Sequence, residues 1–303
     1  MKLFSGSSNP QLTEKISKVI QIPVSLVDIH TFPDGEKRVR IQDSVVGEHA
    51  VIVQSTVPPV DSNYMELFFI VDGLKRSGAE TVTAVVPYLG YQRQDHVFRD
   101  GEAVSLEVVV KTLERVGVDT IILCDLHSIK IPSVFSIPVT HISALPVFAE
   151  KIKQEKWDDK NTILISPDMG GIRRIKILSE LLDNMPFAAI EKDRDLQNGW
   201  VTAENLGEGK ITNQKRAIIV DDMISSGKTI IAASDVLFKK GIEEIFVFAT
   251  HAIFSEKAPR LLQNANLKKV FVSDTVFVPE DKHFAKLEIL SIAAIIAKEL
   301  ESK

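Results

Sequence analysis

Three times along this 303-residue chain a helical stretch ends in basic residues and a glycine, passes an acidic residue and enters an apolar segment. The first is Leu74-Lys-Arg-Ser-Gly78-Ala-Glu80 before Thr81 to Val86. The second is Leu113-Glu-Arg-Val-Gly117-Val-Asp119 before 120–124. The third is Leu237-Phe-Lys-Lys-Gly241-Ile-Glu-Glu244 before 245–249. Glycine just past a helix takes up a left-handed backbone that other residues resist, and a short apolar run after it reads as a strand buried on both faces. The repeated phrase is the signature of αβ units in a parallel sheet. Right-handed crossovers then bring the carboxyl ends of the strands, with the loops that follow them, to a common edge.

That edge is where the polar residues gather. Residues 216–229 read Arg-Ala-Ile-Ile-Val-Asp-Asp-Met-Ile-Ser-Ser-Gly-Lys-Thr. Ala217 to Val220 predicts a buried strand with Asp221 and Asp222 at its end, then a loop of small residues and a helix from Ile230 to Lys240. A helix start presents unpaired N–H groups and partial positive charge, so Ser225-Ser226-Gly227-Lys228-Thr229 is suited to cradle a phosphate. The adjacent carboxylates would accept hydrogen bonds from sugar hydroxyls or hold a metal ion; a plain capped helix is the alternative. A P-loop is excluded, because Asp222 stands where its first glycine belongs and would face the phosphates.

Other strand ends carry Asp125-Leu-His127 and Ser166-Pro-Asp168-Met-Gly170-Gly171-Ile-Arg173-Arg174. His127 and Asp168 are candidate ligands for Mg²⁺, which keeps most of its waters, although histidine is an unusual donor for so hard a cation. Near the N-terminus, Phe4-Ser-Gly-Ser-Ser-Asn-Pro10 predicts a turn and a capped helix after a first strand. Residues 24–41 read as two extended segments around Phe32-Pro-Asp34-Gly35-Glu36, a turn that projects an aromatic ring and two acceptors. After a strand at Ala188 to Ile190, Lys192 and Arg194 alternate, which places them on one face of an extended segment that a solvated hairpin or a flap would contain.

Net charge is −5, so no nucleic-acid partner is suggested and any phosphate must be held by local groups. The 45% hydrophobic and 25% charged content belongs to a soluble globular chain. The single cysteine, Cys124, allows no intrachain disulfide. The N-terminus turns polar too early for a signal peptide, and no apolar run is long enough to span a membrane, which predicts a cytoplasmic protein. Two domains are expected, 1–143 and 144–285. A final amphipathic helix through Ser291 to Leu300, within the stretch 286–303, is expected to dock back on one of them.

Six of these segments occur in the order found in one family. Phe4 to Pro10, Phe32 to Glu36, Pro87-Tyr-Leu-Gly-Tyr-Gln-Arg-Gln-Asp95, Asp125 to His127, Ser166 to Gly171 and Val220-Asp-Asp-Met223 resemble the ribose-phosphate diphosphokinases, and the likeness covers nearly the whole chain. The resemblance implies two tandem type I phosphoribosyltransferase-like domains, each a mainly parallel sheet flanked by helices, with the active site between them. It implies transfer of the β,γ-diphosphoryl group of Mg-ATP to the 1-hydroxyl of ribose 5-phosphate, giving phosphoribosyl pyrophosphate and AMP. By similarity Phe32, Asp34, Gly35, Glu36, Arg93 and Gln94 bind ATP, and His127 and Asp168 bind Mg²⁺. Lys192 and Arg194 are the catalytic flap residues, Arg194 also reaching the sugar phosphate. Asp221, Asp222, Ser225, Ser226, Gly227, Lys228 and Thr229 bind ribose 5-phosphate. The 32–36 loop serves a neighbouring subunit in that family, so a homodimer is the smallest expected assembly. Lys228 departs from a family glycine; it either pairs with the phosphate or takes up φ < 0 where the family allows φ > 0. A phosphoribosyltransferase that consumes the activated sugar, and a non-catalytic regulatory homologue, are the alternatives.

Overall fold

A computed structural model describes residues 1–194, 201–255 and 257–302, with the side chains of 192–194 and 201–208 outside that description. The chain forms two compact units. The first comprises Met1–Ser143, Thr275–Phe277 and Ile292–Lys303; the second comprises Ala144–Asp274 and Val278–Ser291. Among the described residues no helix is long and apolar enough to cross a membrane.

The first unit runs β1 (Lys2–Ser5), α1 (Pro10–Ile20), β2 (Val24–Ser25), β3 (Val27–Thr31), β4 (Lys37–Ile41), β5 (His49–Val53), α2 (Val60–Arg76), β6 (Thr81–Val86), α3 (Ser105–Val116), β7 (Thr120–Cys124) and β8 (Val139–Ile142). Asn9 starts α1: its side chain accepts from the Leu12 N–H, and Pro10, lacking an N–H, takes the first helical position. Gly117 ends α3 at φ +113°. Strands β2-β1-β5-β6-β7-β8 form an all-parallel sheet, and β3–β4 is a separate antiparallel hairpin.

The second unit runs α4 (Leu145–Gln154), β9 (Thr162–Ser166), α5 (Ile172–Leu181), β10 (Phe187–Arg194), β11 (Val201–Glu208), β12 (Arg216–Ile224), α6 (Lys228–Lys239), β13 (Glu244–Ala252), α7 (Ala258–Asn264), β14 (Lys269–Ser273) and β15 (Leu287–Leu290). Its sheet order is β11-β10-β9-β12-β13-β14-β15, parallel except where β11 turns back on β10. One face is packed with rings: Trp157 lies 3.8 Å from Phe246, and Phe248 stacks on Phe271 at 4.5 Å. The C-terminal helix α8 (Ala293–Glu301) belongs to the first unit and packs on α1. It is shorter than the stretch 286–303, because Leu287–Leu290 pairs in register with Val270–Ser273 and satisfies its backbone as an edge strand.

Both sheets share one winding. In each, the first strand leads outward to its successor, and the chain then returns to the other side of that first strand and winds away. The order therefore reverses between β1 and β5 in one unit and between β9 and β12 in the other. Gly78 and Gly241 precede the equivalent strands β6 and β13. In open α/β sheets such a reversal opens a crevice beyond the strand ends, where ligands bind.

Candidate active site

At the reversal in the second unit, β12 outruns its neighbour. Register with β9 ends at Ile219, whereas pairing with β13 continues to Ile224. Asp221 and Asp222 therefore lie inside a strand rather than after it, on an edge that β9 has left open. The gap is bordered by Asp168, whose Oδ1 accepts from the Gly171 N–H at 3.2 Å and so turns the chain into α5. Gly171 is required here, since a Cβ would stand 2.4 Å from Ser166 Oγ.

Arg174, on the first turns of α5, is the counter-charge. Its guanidinium nitrogens lie 3.5 Å from Asp221 and 3.8 Å from Asp222, whose side chains are 14% and 7% exposed. These contacts are longer than charge-assisted hydrogen bonds. Burial, followed by the neighbouring charge of Asp222, pushes the Asp221 carboxyl well above the usual carboxylate range; Asp168 adds to the effect and Arg174 opposes it. A crowded carboxylate pair of this kind is suited to accept from the hydrogen-bond donors of a ligand. Arg174 is absent from the sequence-derived site, and its only signal there was its place after the Asp-Met-Gly-Gly turn.

Six residues beyond Asp222, α6 begins at Lys228. Gly227 is its N-cap at φ +75°, and no side chain caps it. Lys228 is the first helical residue and takes an ordinary helical backbone, so the left-handed position falls on Gly227 and the lysine brings no strain. Ser225, Ser226 and Thr229 complete a loop of small hydroxyl residues, with Ser226 and Lys228 exposed. Uncapped amides at a helix start beside hydroxyls match an anion such as a phosphate.

The first unit carries Phe32–Glu36, Arg93, Gln94 and His127. Phe32–Glu36 closes the β3–β4 hairpin: Phe32 N–H donates to Glu36 O at 2.8 Å, Gly35 N–H to Phe32 O at 2.9 Å, and Glu36 N–H to Asp34 Oδ1 at 3.1 Å. Gly35 sits at φ +92°, and Phe32, Asp34 and Glu36 all face solvent. After β6, the loop carrying Arg93 and Gln94 is fastened along its length. Tyr88 N–H donates to Ser55 Oγ at 3.2 Å, Gly90 N–H to Thr56 Oγ1 at 2.7 Å, and Tyr64 Oη to Gly90 O at 2.8 Å. Tyr91 adopts φ +61° with its hydroxyl donating to Asp61, which raises the phenol above its ordinary value. Arg93 and Gln94 are left exposed.

Gly90 admits no side chain, since a Cβ would lie 2.6 Å from Thr56 O and 2.8 Å from Val60 Cγ1. Gly90→Ala is expected to cost about 2 kcal/mol by overpacking, read as a lower denaturant midpoint at unchanged slope.

His127 follows β7 in the same unit, its N–H donating to the buried Gln92 Oε1 at 2.9 Å and its side chain exposed. Asp168 belongs to the second unit. Lys192 and Arg194 lie on β10, opposite Ala203 and Val201 of β11, and their side chains are outside the described residues.

Comparison with known proteins names the family. Residues 1–117 match the profile described as the N-terminal domain of ribose phosphate pyrophosphokinase, and residues 208–302 match the phosphoribosyl synthetase-associated domain. The chain is 36% identical over 303 residues to the ribose-phosphate pyrophosphokinase of Fusobacterium nucleatum, covering 99% of this chain and 94% of that protein. It is 38% identical to ribose-phosphate pyrophosphokinase 1 of Streptococcus agalactiae, covering 98% and 92%. The chain belongs to the ribose-phosphate pyrophosphokinase family. Among solved structures, phosphoribosylpyrophosphate synthetase from Mycobacterium smegmatis matches with a TM-score of 0.90 at 32% identity, over 99% of this chain and 97% of that one. As a member of the ribose-phosphate pyrophosphokinases, the chain is a diphosphotransferase with two tandem type I phosphoribosyltransferase-like domains, each a mainly parallel sheet flanked by helices.

Proposed function

We propose that the chain transfers the β,γ-diphosphoryl group of ATP to the 1-hydroxyl of ribose 5-phosphate. The observation that carries this reading is the carboxylate pair beside an uncapped helix start at the reversal of the second sheet. Asp221 and Asp222 accept from the ribose hydroxyls, while Ser225, Ser226, Gly227, Lys228 and Thr229 receive the 5-phosphate, Lys228 offering its exposed ammonium. In the first unit, Phe32 lies against the adenine; Asp34, Gly35, Glu36, Arg93 and Gln94 bind the remainder of ATP.

In the reaction, the ribose 1-oxygen forms a bond to the β-phosphorus. The bond from that phosphorus to the α,β-bridging oxygen breaks, AMP departs with its electron pair, and the hydroxyl proton is released to solvent. Holding the reacting atoms in line and neutralising charge are the protein's share of such chemistry. Lys192 and Arg194 supply cations to the transferring oxygens, and Arg194 also reaches the sugar phosphate.

Among the described residues no three His, Cys, Asp or Glu side chains gather into a metal cage. Magnesium needs none, because it keeps several waters and takes one or two protein ligands beside substrate phosphates. In the second unit Asp168, a carboxylate at the reversal, suits so hard a cation; in the first unit His127 is the softer candidate donor. The bound ion would neutralise triphosphate charge. The hairpin tip, exposed on its own chain, fits a homodimer or larger assembly in which it serves a neighbour, and a cytoplasmic location accords with these metabolites.

Incubation with Mg-ATP and ribose 5-phosphate, followed by phosphorus NMR, is expected to show AMP only when the sugar phosphate is present. Silence with every sugar phosphate offered would remove the proposal.

A further inference from the structure

The two sheets wind alike, so each has a reversal, and at the first of them the gap beyond the strand ends is filled from within the protein. In the first unit, Gln54 and Ser55 follow β5 where the second unit has its aspartates. Both are occupied within the protein: Gln54 Oε1 accepts from Ser8 N–H at 3.0 Å, and Ser55 Oγ donates to Thr275 O at 2.6 Å. The helix start beyond them holds Pro58 and Pro59, which have no N–H to offer an anion, and Asp61, which repels one.

The crevice between β1 and β5 is instead filled by Glu66 of α2, which is 0% exposed. One carboxylate oxygen takes the Ser7 N–H at 2.7 Å and Gln54 Nε2 at 2.9 Å. The other takes Ser7 Oγ at 2.8 Å and Lys37 Nζ at 2.6 Å. Two hydroxyl or amide donors, one backbone N–H and an ammonium form the kind of donor set that would hold a bound anion, and here the anion is the protein's own. Gly6 completes the fit, since a Cβ there would strike Gln54 Oε1 at 2.2 Å.

Lys37 is the residue that gives this plug a function. It opens β4, directly after the Phe32–Glu36 tip, and its side chain is 13% exposed against 1% for Glu66. Val27, Ile29, Val39 and Ile41 pack the body of the hairpin on the first unit's core, while the tip itself faces solvent and depends on what holds the strands beside it. The Lys37–Glu66 pair therefore joins the turn end of the hairpin, where Lys37 faces Thr31, to the Gly6–Ser8 turn and to the end of β5. We propose that Glu66 and Lys37 are positioning residues: the crevice at the first reversal, closed to ligands by the Glu66 carboxylate, is the anchor that holds the hairpin in the pose that binds ATP. This also gives the Ser-Gly-Ser-Ser-Asn-Pro turn a role that requires no ligand of its own.

The ATP part of this inference rests on the reading of the hairpin under the proposed function, and the test separates the two. In Lys37→Met, hydrogen exchange of the 27–41 amides is expected to rise at least tenfold. The Kd for Mg-ATP, measured by calorimetry without turnover, is expected to rise at least fivefold, with the Kd for ribose 5-phosphate within twofold of wild type. Lys37→Arg keeps the cation and is expected to restore both hairpin protection and ATP affinity. Unchanged exchange in Lys37→Met would overturn the anchor, and increased exchange with unchanged ATP affinity would overturn the positioning role. A wild-type protein that forms no AMP would instead count against the proposed function, and the exchange result would still decide the anchor.

Discussion

Lys192→Ala is expected to lower kcat about a hundredfold, with the KM for ribose 5-phosphate changed little. A cation placed at the oxygens of a transferring phosphoryl group, in a site from which water is excluded, contributes roughly 3 kcal/mol to the transition state. At 25 °C each 1.4 kcal/mol is about a factor of ten in rate. Lys192 lies in the part of β10 that has already left β9, paired only with β11, two residues before Arg194. AMP release at saturating concentrations of both substrates measures the effect. A fall of less than about tenfold would assign the charge stabilisation elsewhere, with Arg194 the next residue to replace.

Asp221→Asn should do two opposite things. Removing a charged acceptor of ribose hydroxyls is expected to weaken ribose 5-phosphate binding by roughly a hundredfold, since hydrogen bonds to a charged group are worth about 1.5–3 kcal/mol. The same change is expected to stabilise the protein without ligand by about 1 kcal/mol at neutral pH. The sign follows from the raised Asp221 carboxyl. The fold favours its protonated form, so that contribution is fully present below the ordinary carboxylate range and is lost as pH rises through the raised value. Asparagine stays neutral, and its oxygen keeps the 2.9 Å bond from the Asp222 N–H. Thermal melts of both proteins from roughly pH 4 to pH 8 should therefore nearly coincide at the acid end and diverge towards the alkaline end. A constant difference across that range would show that Asp221 is not the strained charge.

The two effects have one cause. Carboxylates collected for a ligand repel one another before it arrives. Arg174 relieves part of that repulsion at 3.5 and 3.8 Å, which leaves room for sugar hydroxyls.

Much of this was legible in the chain. The glycine-punctuated phrases at Gly78, Gly117 and Gly241 determined alternating helices and buried strands, because apolar runs and left-handed glycines are local signals. The Asp221-Asp222 pair, the small-residue loop to Thr229 and the Phe32–Glu36 turn could likewise be read in order, since their chemistry lies in contiguous residues. Strand Leu287–Leu290 could not, because four residues of mixed polarity become a strand only when β14 offers them a ladder. Nor could the counter-charge at Arg174 or the Glu66–Lys37 anchor. Those pairings join residues that stand 47 and 29 positions apart and meet only once the sheet has wound. The sequence by itself determined which residue types were available at each strand end. Only the tertiary structure decided that Glu66 fills the reversal of the first of two like-wound sheets, because that depends on which distant side chain reaches the gap between two parallel strands.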